Sequence, residues 1–222
     1  MAKKNSESIV ITPPNMKEVQ IPIRGIAPLV VARFSKKAEL MAKMQEDGKS
    51  GKTKKDREAR DYEQEAQDAK HVSTEGWEGV SASAFRNSSI RACSLVGINM
   101  TDGKMSLFIK ADGVDREEKS PLVRIYGDAE TYTAHVRNAT GVIDIRSRPM
   151  YQKWGAILNI VYDADQFKEE YVYNLIARAG LQVGICEGRP FSAKSAGLGY
   201  GLFEIVPETE VKQFRKDFGI KS

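Results

Sequence analysis

Residues 154–162 read Trp154-Gly155-Ala156-Ile157-Leu158-Asn159-Ile160-Val161-Tyr162, and Asp163-Ala164-Asp165 follows directly. The first run is almost wholly apolar and rich in β-branched and aromatic residues, so it predicts a long buried strand. The period then changes. Phe167, Tyr171, Leu175 and Ala179 fall four apart, and Val172 and Ile176 widen that stripe, as on one face of a helix. Asp163 or Asp165 supplies an N-cap, Glu169 and Glu170 lie near the positive helix start, and Arg178 and Gly180 close the end. A strand feeding an amphipathic helix implies a sheet with helices packed on it.

The flanking sequence extends that pattern. Upstream, Val19, Ile21 and Ile23 alternate with Gln20, Pro22 and Arg24, the period of a half-buried strand, and Pro22 predicts an edge strand or a local irregularity. Leu29-Val30-Val31 is a short apolar stretch after Gly25 and Pro28. Ser81-Ala82-Ser83 caps a helix through Phe85, Ile90, Cys93, Leu95 and Val96 that stops at Gly97. Residues 99–125 read as strands joined by turns, with Asp102-Gly103 and Asp112-Gly113 on either side of Met105-Ser106-Leu107-Phe108-Ile109, and Leu122-Val123-Arg124-Ile125 beyond. Val142-Ile143-Asp144-Ile145-Arg146 is another strand candidate. Downstream come residues 181–185, a glycine-rich loop, Leu202-Phe203-Glu204-Ile205-Val206 as a last strand, and a basic tail helix within 207–222. The fold class that follows is α+β with an antiparallel sheet, its core spanning residues 19–206.

Two stretches stand apart. Residues 1–18, with Lys3, Lys4, Pro13 and Pro14, read as a flexible N-terminal arm. Residues 35–70 are dense in charge of both signs with a thin apolar face, so they read as an inserted charged arm. Either it is a solvated loop, or it touches a neighbouring subunit or a nucleic-acid strand.

Composition narrows the function. The 222 residues are 41% hydrophobic and 29% charged, an ordinary globular composition. No apolar run approaches the roughly 18 residues of a membrane span, and no apolar core follows Lys3 and Lys4, so neither a membrane protein nor a secretory signal is expected. Cys93 and Cys186 are too few for a disulfide framework, which points to a reducing cytoplasm. The 34 basic against 30 acidic side chains leave +4, which permits a nucleic-acid partner without requiring one.

Catalytic signatures are scarce. His71 and His135 lack metal spacing, and both read as solvated or exposed; no metal, cofactor or catalytic residue is expected, and an enzyme is the least favoured class. Asp47-Gly48-Lys49-Ser50-Gly51-Lys52 has the wrong spacing for a phosphate loop. The strongest local signal is the stretch 184–205. There Gly197, Gly199 and Gly201 free the backbone for close approach while Arg189 and Lys194 add charge, a combination suited to phosphates or to a tight turn. Arg146, Arg148 and Lys153 interleave with Tyr151 and Trp154, the mixture with which single-strand binders hold phosphates and stack bases; Trp154 also reads as core. Arg86 and Arg91 lie five apart on the serine-rich helix, so they need not share a face.

Three of these stretches together resemble a known family. Ile23-Arg24-Gly25-Ile26-Ala27-Pro28-Leu29 looks like a first strand and turn, residues 80–91 like a helix carrying Arg86 and Arg91, and residues 181–205 like a glycine-rich loop with basic residues. The order resembles the RAMP superfamily, specifically the backbone subunits of CRISPR effector complexes. The resemblance implies a modified ferredoxin-like (RRM-type) core, and single-stranded nucleic acid held along a filament of identical subunits, with Arg24 among the basic residues of the site. Arg148-Pro149-Met150-Tyr151 with Trp154, and Gly188-Arg189-Pro190, also look like small phage proteins, which implies a phage-encoded relative working in the host cytoplasm. The alternatives are a viral structural or assembly protein and an inhibitor that mimics a CRISPR backbone subunit.

Overall fold

The structure, a computed structural model, describes residues 11–33, 61–137, 143–191 and 197–220. In chain order the strands are β1 (Met16–Gly25), β2 (Leu29–Val30), β3 (His71–Val72), β4 (Glu78–Ser81), β5 (Leu107–Lys110), β6 (Gly113–Val114), β7 (Pro121–Arg124), β8 (Ala129–Arg137), β9 (Ile143–Tyr151), β10 (Gly155–Asp163) and β11 (Phe203–Ile205). The helices are α1 (Tyr62–Asp68), α2 (Ala82–Cys93), α3 (Met100–Ser106), α4 (Glu169–Arg178) and α5 (Val211–Asp217).

The fold is α+β with antiparallel sheets. Its central sheet has the order β11-β1-β10-β5, each neighbouring pair antiparallel. Helix α2 lies in the chain between β1 and β5, and α4 between β10 and β11. Both helices pack on this sheet and on each other. Alternation decides which face they cover. Ala156, Leu158, Ile160 and Tyr162 of β10 are buried with Ile21 and Ile23 of β1, while Asn159 points outward and accepts from Gln20 at 2.9 Å. The run 154–162 is therefore buried on one face rather than on both. β1 is not an edge strand, but its pairing with β11 covers only Ile23–Gly25, so Pro22 lies where that neighbour ends.

Small residues set how closely the layers approach. Ser81 caps α2, its Oγ accepting the Ser83 N–H. Ser88 and Ser89 are buried on the inner face; Ser88 donates to the Ala179 carbonyl and Ser89 to that of Phe85. The ring of Phe203 then meets those of Phe85 and Trp154 edge-on, at centroid distances of 5.9 and 6.1 Å. Gly180, expected to end the long helix, lies inside a π turn over Ala179–Val183; a Cβ there would sit 2.1 Å from the Phe203 carbonyl oxygen. The helix starts later than its acidic residues suggest, at Glu169, and Asp163 instead closes the preceding turn by accepting the Asp165 N–H. Residues 100–106 form a helix capped by Asn99, where strand was expected. Gly103 marks a close approach to Cys93, not a turn.

Two smaller sheets, β2-β9-β8 and β3-β4-β7-β6, flank the central one. Residues 61–70 of the charged stretch are folded: Asp61 caps α1 by accepting from Glu63 and Gln64, and Ala66 and Ala69 are buried where α1 packs on the β8–β9 hairpin. The rest of the arm, residues 34–60, and residues 1–10 lie outside the described residues. At the other end, buried Phe214 of α5 fills the space above Gly155, so the tail helix docks on the core.

Candidate nucleic-acid interface

The two basic segments singled out by sequence meet through β2. Its Val30 pairs with Met150 of β9 on one side and bridges Glu187 of the glycine-rich loop on the other. The loop is then laced to the same region: the Glu187 N–H donates to the Val30 carbonyl, Gly201 to Pro28, Tyr200 to Gly188, and Ile185 to Gly201. Gly201 has φ +67°, and a Cβ would lie 2.0 Å from the Ile185 carbonyl oxygen, so its close backbone approach is made within the chain. Gly197 and Gly199 are also at positive φ, and among the described residues nothing lies within 4 Å of where their Cβ atoms would be.

Strand register sorts the side chains. β8 and β9 pair from Ala129↔Tyr151 to Arg137↔Ile143, so Arg146 stands opposite Ala134 and Arg148 opposite Tyr132. With a two-residue pleat, Tyr132, Ala134, Arg146 and Arg148 share one face; Thr133 and Ser147, hydrogen-bonded at 2.9 Å, share the other. The first face turns to the glycine-rich loop. Arg148 Nε donates to the Glu187 carboxylate at 3.2 Å, and the Tyr132 and Tyr200 rings meet edge-on at 6.1 Å. The hydrogen bond with Tyr200, burial and the nearby Glu187 charge hold the Tyr132 phenol above its ordinary value. Arg189 is anchored to the loop through the Cys186 carbonyl at 2.7 Å. The result is a face that carries Arg146 and Arg148 with Glu130, beside a loop that carries Arg189 and Glu187, with two half-buried tyrosines and a backbone of glycines.

Other sequence-predicted residues go elsewhere. Tyr151 and Trp154 are each 1% exposed, so neither offers a stacking face, a correction to the expected site. Tyr151 donates to Glu78, and burial followed by that carboxylate pushes its phenol far up; the Trp154 indole donates to the Ala27 carbonyl at 2.8 Å. Arg24 forms ion pairs with Glu204 and Glu210, tying β1 to β11 and the tail. Arg86 donates to the Lys104 and Leu107 carbonyls and lies over Phe108, pinning α3 and β5 to α2. Arg91 stacks over Phe191 at 4.1 Å and so links α2 to the loop. Lys153 is exposed on the turn between β9 and β10, and Lys194 lies outside the described residues. His71, expected to be solvated, is largely buried with Nδ1 3.0 Å from Asp115. The aromatic members that sequence reasoning missed are Tyr132 and Tyr200. The signal for the second was its position between Gly199 and Gly201; the first lies in a strand that its polar neighbours obscure.

Among the described residues no group of His, Cys, Asp and Glu could hold a metal ion, and no helix is long and apolar enough to cross a membrane. Comparison with protein-family models gave no match, and comparison with curated proteins gave none either. Among solved structures, the chain is similar to the crystal structure of Cmr6 from Pyrococcus furiosus at 10% sequence identity and a TM-score of 0.40, over 86% of this chain and 99% of that one.

Proposed function

We propose that the protein binds single-stranded nucleic acid, DNA or RNA, largely without sequence preference, on the face shared by β8, β9 and the glycine-rich loop. The observation that carries this reading is the junction at β2, which joins β9, the strand of Arg146 and Arg148, to the glycine-rich loop, with Tyr132 against Tyr200. Guanidinium groups there complement phosphates, and tyrosine rings complement base faces. On this reading the protein carries out no reaction, works in the cytoplasm, and assembles as a filament of identical subunits. The core is read as a modified ferredoxin-like, RAMP-type unit. The sheet order supports that reading: numbered along the chain, the four central strands lie 4-1-3-2, with helices after the first and third.

Anisotropy of a labelled oligonucleotide over a salt series tests the binding. Log affinity is expected to fall with log salt by about 0.7 for each phosphate contact. Neutralising two contacts with Arg146→Gln and Arg148→Gln should then flatten the slope by about 1.4. Absence of binding at low salt, or a slope that the double substitution leaves unchanged, would overturn the proposal.

A further inference from the structure

A cleft of about 430 Å³ is lined by Trp77, Glu78, Arg124, Tyr126, Asp128 and Phe218 among others, and reaches Ala129 at the start of β8. A second, of about 390 Å³, shares Arg124 and Tyr126 with it and extends to Gly219 and Ile220. A cation and two rings lie together here: the Arg124 guanidinium lies 5.0 Å from the Tyr126 ring centroid and 5.9 Å from that of Trp77. Two glycines make room for the indole, because a Cβ on Gly113 or Gly79 would lie 2.7 or 3.0 Å from its carbons.

The charges of the cleft are unevenly satisfied. Glu78 accepts from both Lys70, at 2.7 Å, and the Tyr151 hydroxyl, so its carboxylate is compensated, while Asp128 of the lining is exposed to solvent. Arg124 is exposed and, among the described residues, its guanidinium has no ion-pair partner within hydrogen-bond distance; it lies over the two rings, and its charge also acts on the Asp112 carboxylate, which accepts the Arg124 backbone N–H at 2.9 Å. The carbonyl of Lys153, exposed on the adjoining turn, packs against Gly127 of the lining. Planar rings beside an exposed guanidinium that forms no ion pair among the described residues complement a ligand that is both planar and anionic.

We infer that this cleft receives one unpaired nucleotide, its base against the Trp77 and Tyr126 rings and its phosphate on Arg124. The strand-bound form of this inference rests on the single-strand reading above; a free nucleoside monophosphate has the same chemistry, and the two sources are separated by experiment. Of the chain's 2 tryptophans, Trp154 is buried, so quenching by a stacked base reports on Trp77. The full chain is titrated with AMP, with UMP and with a labelled oligonucleotide, following tryptophan emission and anisotropy in parallel. Emission should be quenched saturably, and Arg124→Gln should weaken binding of monophosphate and oligonucleotide by about tenfold, as loss of a contact of one to two kcal/mol requires. Arg124 is exposed, so this variant should keep the parent melting midpoint; Trp77→Phe, which abolishes the quench, identifies the reporter. Quenching by monophosphate that depends on Arg124, without oligonucleotide binding, supports the cleft and refutes the strand reading. Oligonucleotide binding with unchanged emission and no effect of Arg124→Gln overturns the cleft and leaves the other face standing. No response of either signal to any of the ligands overturns both.

Discussion

Replacing Trp154 by phenylalanine removes the indole N–H that donates to the Ala27 carbonyl at 2.8 Å and opens space beside Gly25, on whose missing Cβ the indole lies. The lost hydrogen bond costs about 1 kcal/mol, with the Ala27 carbonyl left unpaired. The smaller ring leaves a void of roughly 40 Å³, worth about 1 kcal/mol at the measured cost of cavities in protein cores. The edge-on contact with Phe203 weakens as well, giving about 2–3 kcal/mol in all. For a chain of this length that corresponds to a fall of about 4–10 °C in the melting midpoint. Circular dichroism on heating measures it, and oligonucleotide anisotropy well below the transition measures binding on the same sample. The midpoint should fall while the affinity stays within about twofold, because the ring faces the core. An unchanged midpoint with lost affinity would return Trp154 to the binding surface and refute the assignment of the aromatic face to Tyr132 and Tyr200.

Two further outcomes follow from local chemistry. Burial alone would raise the Asp115 carboxyl, but the Glu118 and Glu117 N–H groups, His71 and the charge of Arg33 together hold it below its ordinary value. Its contribution to stability is therefore complete above the unfolded pKa of about 4 and is lost as pH falls through the lower folded value. Denaturant midpoints from about pH 7 to about pH 2 should show Asp115→Asn less stable at neutral pH and less steeply weakened by acid; parallel curves for parent and variant would refute this. Gly199 holds φ +80° with nothing among the described residues within 4 Å of its Cβ position, so Gly199→Val should cost about 1–2 kcal/mol through backbone strain. Affinity measured below the transition should fall too; unchanged affinity with a lowered midpoint would assign the loop to structure alone.

What was legible in the sequence was legible because it is local and periodic. The alternation in β1 and the four-residue spacing in α4 depend only on which face is buried, and both elements are found near their expected places. Glycines misled for the opposite reason. Gly103 and Gly180 read as turn or cap residues, yet each is glycine because a distant atom, Cys93 Sγ or the Phe203 carbonyl oxygen, occupies the place of a Cβ. Arginines misled similarly: Arg24 and Arg86 looked available, and their partners are Glu204 across the sheet and the carbonyls of Lys104 and Leu107. The aromatic partners in the site could have been narrowed by parity. Arg146 and Arg148 share a strand face that Tyr151 does not, so a ring beside them has to come from another strand or loop, as Tyr132 and Tyr200 do.

The pin at Arg33 has a consequence for how the chain tolerates change. Its backbone N–H donates to the Ala69 carbonyl at 3.2 Å, while its guanidinium is held by Glu117 and Glu118. The polypeptide thus leaves the core and rejoins it at a single stem. Closing such a stem has an entropic cost that grows only logarithmically, about 0.6 kcal/mol for each doubling of what it encloses. Lengthening the chain between the two anchor points therefore adds little to the cost of closing the stem, provided the stem residues and α1, whose Ala66 is buried on the β8–β9 hairpin, persist.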